Sequence, residues 1–290
     1  MTDGTDVVVV FGGTGRQGGA VARELLRRGR TVRAVVRDPS SDGARSLAGA
    51  GAELATGDMD DAASLDAALR GAYGVYSVQT FTGPDGPEGE VRQGGLVAEA
   101  AARAGVSQFV YGSVGGAERG SGVAHFESKG RVERRIEALG LPATILRPVF
   151  FMENFQGPLG PARRDGALVL ALPLRPTTAL QMIAVADVGV LAADAFDDPA
   201  GHLDRRIEIA GDELTGPRMA EVFAEVAGEP VRWETTPVED VRARDEESAT
   251  MFTWFDTRGY AADLPALRAQ RPELRTLAVW ARDNWAPPGR

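Results

Sequence analysis

Apolar, β-branched runs alternate with helical repeats along the first half of the chain. Residues 6–13, DVVVVFGG, form one continuous apolar run ending in glycines, as expected of a strand covered on both faces of a parallel sheet. Residues 17–29, QGGAVARELLRRG, carry Val21, Leu25 and Leu26 at helical spacing; Arg27 and Arg28 close the last turn and Gly29 stops it. The same rhythm predicts strands at 31–38, 52–58, 74–80, 108–114 and 142–148. Helices are expected at 41–51, 61–71, 91–105 and 125–140, and the Gly/Pro-rich segment 81–90 reads as a loop. Strands and helices in strict alternation with short connections build right-handed βαβ units. The fold class is therefore α/β, a doubly wound parallel sheet of the Rossmann type.

Near residue 149 the rhythm breaks into a stretch rich in Pro, Gly and aromatics. Helices are expected at 185–198 and 218–228, extended segments at 205–211 and 231–238, and mixed helix and loop beyond. This gives a nucleotide-type domain at 1–150 and a smaller C-terminal α+β lobe at 151–290, with segments returning to the sheet.

Composition narrows the function classes. The 290 residues carry a net charge of -9, which disfavours nonspecific binding to a nucleic-acid polyanion but leaves room for a local phosphate pocket. With no cysteine, the chain has no disulfide, thiolate metal site or cysteine nucleophile. Neither His125 nor His202 belongs to a ligand cluster, so no metal site is expected. The N-terminal segment has no basic region before a short apolar run, so a cytoplasmic protein without a membrane span is expected.

The segment GGTGRQGG joins the first strand to the first helix. Two glycine registers fit, Gly13-x-Gly15-x-x-Gly18 and Gly12-x-x-Gly15-x-x-Gly18, with Thr14, Arg16 and Gln17 in the same loop. Either register supplies a sharp turn, close backbone approach to a pyrophosphate and tight packing of helix on strand. The second strand ends VVRDP. An arginine there suits the 2′-phosphate of NADP and a carboxylate the 2′-hydroxyl of NAD. Arg37, joined by Arg16, favours NADP(H) over NAD(H); Asp38 stands for the alternative. After the third strand, Asp58 is placed to accept from an adenine amino group and Met59 to pack on the ring, while Asp58 or Asp60 also suits a helix cap.

These residues, together with VRAVVRDP, the GD after the third strand, HFESKGRVERRIEALGLPATILRPVFFMENF and the DVG at 187–189, resemble the NmrA-like (HSCARG-like) branch of the atypical short-chain dehydrogenase/reductase family. The match spans the first half and continues in patches to about residue 240. The resemblance implies an NAD(P)-binding Rossmann domain, often NADP-preferring, with a small lobe over a cleft. It also implies one of two roles: reduction of quinones and related small molecules, or redox sensing without turnover. The superfamily's Ser and Tyr-x-x-x-Lys map onto Ser113 and Lys129, with His125 where the proton-donating tyrosine is usual.

Lys129 is the only lysine beside 31 arginines. His125 precedes it by four residues, so both lie on one helix face. Imidazole, with an ordinary pKa of about 6.5, is suited to supply a proton at neutral pH, or else it packs on Phe126. At the carboxyl ends of later strands, Gln79, Thr80, Pro148 and Phe150 are expected beside the cofactor, with Phe81, Phe151, Asn154 and Trp254 toward substrate. The expected function is hydride transfer from NADPH to a small apolar or aromatic carbonyl, quinone or enone. The alternative is an NADP(H) sensor with a protein partner. A nucleotide-sugar epimerase is disfavoured by the missing tyrosine.

Overall fold

The computed structural model describes residues 6–289 of the chain. The opening residues read for a targeting signal, 1–5, lie outside the described residues. No helix among the described residues is long and apolar enough to cross a membrane. The chain divides into two compact units. The first holds the chain up to Ala117 with His125–Arg147 and Val188–Ile207; the second holds Glu118–Ala124, Pro148–Asp187 and the chain from Glu208 on.

In the first unit β1 (Val7–Val10), α1 (Arg16–Arg27), β2 (Thr31–Val36), α2 (Asp42–Gly49), β3 (Glu53–Thr56) and α3 (Ala62–Ala68) follow one another. Then come β4 (Ala72–Ser77), α4 (Gly86–Ala104), β5 (Gln108–Gly112), α5 (Ala124–Ala138) and β6 (Ala143–Pro148). The sheet runs β6-β5-β4-β1-β2-β3, with strand Arg206–Ile209 added beside β6. Each pair among β1–β6 is parallel. Such a sheet needs cover on both faces, which explains why Val8, Val9 and Val10 are fully buried between β2 and β4. Strand order reverses direction between β1 and β4, and that switch point opens a crevice at the carboxyl ends of the strands.

Helix α1 buries Gly18, Val21, Ala22 and Leu25 and yields at Gly29, whose φ is 78°. Just before that glycine, Arg28 gathers three carboxylates: Glu24 at 2.7 Å, and Asp194 and Asp197 at 2.8 Å each from the helix Val185–Asp197. The hydrogen bond from Arg27, helped by Arg28, pulls the Glu24 carboxyl down to about 2.

One predicted boundary is wrong in an instructive way. Segment 81–90 is not all loop, because α4 begins at Gly86. Pro87 falls in the first turn, where its missing N–H costs nothing, so the Gly-Pro pair starts this helix instead of blocking it.

The second unit contains two three-stranded sheets. One is ordered Asp212–Thr215, Ala179–Ile183, Phe150–Phe151; the other Val231–Thr235, Ala167–Leu172, Ala162–Arg164. Its aromatic core links Phe150 to Phe155 at 5.5 Å and Phe155 to Phe223 at 5.3 Å between ring centroids.

Candidate functional site

A cleft of about 610 Å³ lies in the first unit at the carboxyl ends of β1 to β4. Its floor is the turn from β1 to α1. Gly12 has φ 70°, and a Cβ there would stand 2.8 Å from the Val78 side chain and 2.9 Å from its carbonyl oxygen. Gly15 N–H donates to the Gly12 carbonyl at 2.9 Å, and a Cβ on Gly18 would meet that same oxygen at 2.4 Å. Gly12 and Gly18 therefore carry the turn, which the Gly15 N–H closes. Gly13 is less constrained than Gly12 or Gly18: its would-be Cβ meets only side chains, Leu47 nearest at 3.2 Å. Gly15 caps α1 without a side chain, and no acidic residue occupies the first turn. The free N–H groups and the positive end of the helix dipole make this floor an anion cradle.

Around that cradle the cleft is lined by Thr14, Arg16 and Gln17, by Arg37 after β2, by Asp58 and Met59 after β3, and by Gln79 and Thr80 after β4. Gln17 is anchored by its Nε2 donating to the Tyr76 hydroxyl at 2.7 Å. Burial pushes that phenol above its ordinary range. Arg16 and Arg37 are exposed and form no salt bridge among the described residues, although the Arg37 charge also helps to lower the Asp60 carboxyl. Asp38 is occupied: its Oδ1 accepts from the Ser40 hydroxyl at 2.6 Å and the Ser40 N–H at 2.8 Å, which hold its carboxyl below the ordinary range.

Asp58 closes its own turn, accepting from the Asp60 N–H at 3.0 Å. The cap of α3 is Asp61, accepting from the Ala63 N–H at 3.0 Å, and neither Asp58 nor Asp60 fills that place. Asp60 instead takes Arg92 at 2.8 Å and Gln93 at 2.7 Å, and the Arg92 bond leads in lowering its carboxyl. Arg92 and Gln93 also line the cleft. Both fall within the helix expected at 91–105, and nothing in its periodicity pointed its first turn at the cleft.

The remaining first-unit candidates lie in two other settings. Lys129 is 9% exposed; its Nζ stands 2.8 Å from Glu90 Oε1 and donates to the carbonyls of Gln79 at 3.3 Å and Gly112 at 3.4 Å. Glu90 also accepts from the Ser128 hydroxyl. The Ser113 hydroxyl donates to Glu133, which forms a buried pair with Arg147 at 2.6 and 3.0 Å. At the start of α5 the His125 ring stacks on Phe81, centroids 4.3 Å apart and planes 16° apart, and meets Phe126 edge-on at 4.8 Å. One α5 face therefore splits its two rare residues: the imidazole packs between rings while the ammonium turns inward.

The other candidates belong to the second unit. Pro148 ends β6, and Phe150 is buried against Phe155 and Phe255. Phe151 is half-buried in its short strand, and Asn154 sits in the 3-10 turn Met152–Gln156. Trp254 is 5% exposed, beneath the Arg119 guanidinium at 5.1 Å and beside Tyr260 at 5.4 Å.

A glycine cradle at a helix N-terminus, inside a doubly wound sheet, is a fold-level signature shared by many chemistries. The family model for NmrA-like proteins matches residues 4–277. The chain belongs to the NmrA-like family. This NmrA-like protein is 29% identical over 290 residues to an NmrA-like family domain-containing oxidoreductase of Malbranchea aurantiaca, covering 89% of the chain and 86% of that relative. It is 29% identical over 237 residues to an NAD(P)H azoreductase of Xenophilus azovorans, covering 81% and 79%. Among solved structures, NmrA, a negative transcriptional regulator in complex with NADP, superposes with a TM-score of 0.83 at 22% identity, covering 98% of this chain and 96% of that one. The last likeness shows the shared fold.

Proposed function

We propose that this NmrA-like protein binds NADP(H) in the first-unit cleft and reduces a small apolar carbonyl, quinone or enone. The observation that carries this reading is the charge arrangement at the cleft. Arg16 and Arg37 form no salt bridge among the described residues, whereas Asp38 spends its carboxylate on Ser40. The residues present fit the dinucleotide. Gly12 and Gly18 hold a tight turn that an added Cβ would break, and the uncapped end of α1 offers N–H donors to a pyrophosphate. Arg16 and Arg37 suit a 2′-phosphate, and Asp58 and Met59 the adenine edge. Bound NADPH supplies the hydride. The protein's part is to hold, orient and exclude water, with His125 as the proton source. Acceptors that delocalise the incoming charge need that proton less urgently, which favours quinones and enones where tyrosine is missing. The azoreductase and oxidoreductase relatives support a redox role.

The test is purified protein with NADPH and a panel of quinones and enones, followed by loss of reduced-nicotinamide absorbance. Turnover supports the reading. NADPH binding with no turnover on any acceptor supports a redox sensor instead. One observation favours that second reading: the Lys129 ammonium is already engaged by the Glu90 carboxylate and by the Gln79 and Gly112 carbonyls.

Two substitutions sharpen the assignment. Arg37→Ala should weaken NADPH about 10- to 100-fold, the worth of a charge-assisted contact, and NADH less than about threefold. Equal weakening of both in calorimetric titrations would return the ribose to Asp38. His125→Phe preserves a ring against Phe81 but carries no proton. Turnover should fall about 100-fold with NADPH affinity unchanged, the usual size of a lost general acid. Undiminished turnover would assign the proton to solvent.

A further inference from the structure

Behind the cleft wall is a compact group of charges for which the glycine cradle has no use. Glu90 on α4 is fully buried. Lys129 and Glu133 from α5 and Arg147 from β6 are buried with it, and the Tyr111 hydroxyl on β5 has no hydrogen-bond partner among the described residues. Burial, with the Glu90 and Glu133 charges adding to it, pushes the Tyr111 phenol up and keeps it neutral. The four charges sort into two pairs. Arg147 is committed to Glu133 by two hydrogen bonds, which leaves Glu90 as the ion-pair partner of Lys129.

The distances say what holds the ammonium. Glu90 Oε1 is at 2.8 Å, whereas the Gln79 and Gly112 carbonyls, at the carboxyl ends of β4 and β5, are at 3.3 and 3.4 Å. The short contact is also the charged one, so it dominates. Gln79 itself lines the cleft. Lys129 is thus pinned directly behind a wall residue by a carboxylate on a different helix. A buried cation that loses its only counter-charge is strongly disfavoured and sheds its proton.

We infer that Glu90 is a positioning residue of the cleft: it keeps the Lys129 ammonium charged and fixed behind Gln79, and through Lys129 it sets dinucleotide affinity. The affinity part rests on the NADP(H) reading above; the hold on Lys129 does not. The groups facing Lys129 are Glu90 from α4 and Tyr111 from β5; Glu133, one turn further along its own helix, is balanced by Arg147. Removing the Glu90 charge leaves one uncompensated positive charge in this set.

Because the chain has one lysine, protein made with [ε-13C]lysine gives a single Cε resonance that needs no assignment. The unliganded wild type, recorded from about pH 6 to about pH 9, supplies the reference curve. In Glu90→Gln the resonance should show an inflection inside that window. NADPH affinity, by calorimetry at the same pH values, should match wild type near the acid end and fall about tenfold toward the alkaline end as the cation is lost. Glu90→Asp, which keeps the charge but draws it back by one methylene, should move both in the same direction by less, and its departure from the wild-type curve carries the test if Glu90→Gln fails to fold. A Glu90→Gln resonance identical to wild type overturns the inference. So does a weakening of NADPH that is uniform in pH, which marks a merely structural role. If wild type binds no NADPH, the cofactor reading fails, and the resonance still decides whether Glu90 governs Lys129.

Discussion

Gly18→Val should abolish dinucleotide binding, with affinity down at least about 100-fold, and lower the melting temperature. A Cβ at position 18 would lie 2.4 Å from the Gly12 oxygen, 2.5 Å from its carbon and 2.9 Å from the Gly13 nitrogen. All three are backbone atoms of the cradle, so no rotamer change relieves the clash. Either α1 backs away from β1 or the turn opens, and both misplace the N–H groups at the helix end. Gly49→Ala in α2 is the control. Nothing lies within 4 Å of its would-be Cβ, so an added methyl should be neutral or stabilise by about 0.5 to 1 kcal/mol. Calorimetry for affinity and thermal melts for stability separate the two. Wild-type affinity in Gly18→Val would place the dinucleotide somewhere other than this turn.

The largest stability effect is expected at the Glu133–Arg147 pair. The two side chains are 6% and 9% exposed and are joined through two hydrogen bonds. Arg147→Met leaves the Glu133 carboxylate buried with only the Ser113 hydroxyl to face it, at a cost of about 3 to 5 kcal/mol. Removing both charges, in Arg147→Met with Glu133→Leu, should recover most of that loss, since buried ion pairs roughly break even against apolar neighbours of similar volume. Denaturant midpoints on the two single variants and the double variant close the cycle. A single substitution costing under about 1 kcal/mol would show that the charges are hydrated in solution.

The sequence made the first unit legible for a physical reason. Strands buried on both faces must be apolar throughout, so VVVV of β1 and AVV of β2 stand out against the helices between them. The anion cradle was legible too, although its choice of Gly12 over Gly13 needed the Val78 contact, which is invisible in one dimension. The polar group behind the cleft was not. Glu90, Glu133 and Arg147 look like ordinary surface charges until folding turns them inward, and the misplaced helix start left Glu90 in a presumed loop. In the second unit, strands of two to six residues broken by Pro and Gly are too short for periodicity to register.

The Arg28 clasp sets an order on synthesis. Its partners Asp194 and Asp197 lie 166 and 169 residues further along the chain. A nascent chain that has emitted all of β1 to β6 has Glu24 but still lacks the other two carboxylates that receive Arg28, while the intervening segments leave the ribosome. Contacts of such separation raise contact order and slow folding. The first half of this protein therefore cannot mature as an independent early domain: its last stabilising charges arrive only after roughly two thirds of the polypeptide has been made.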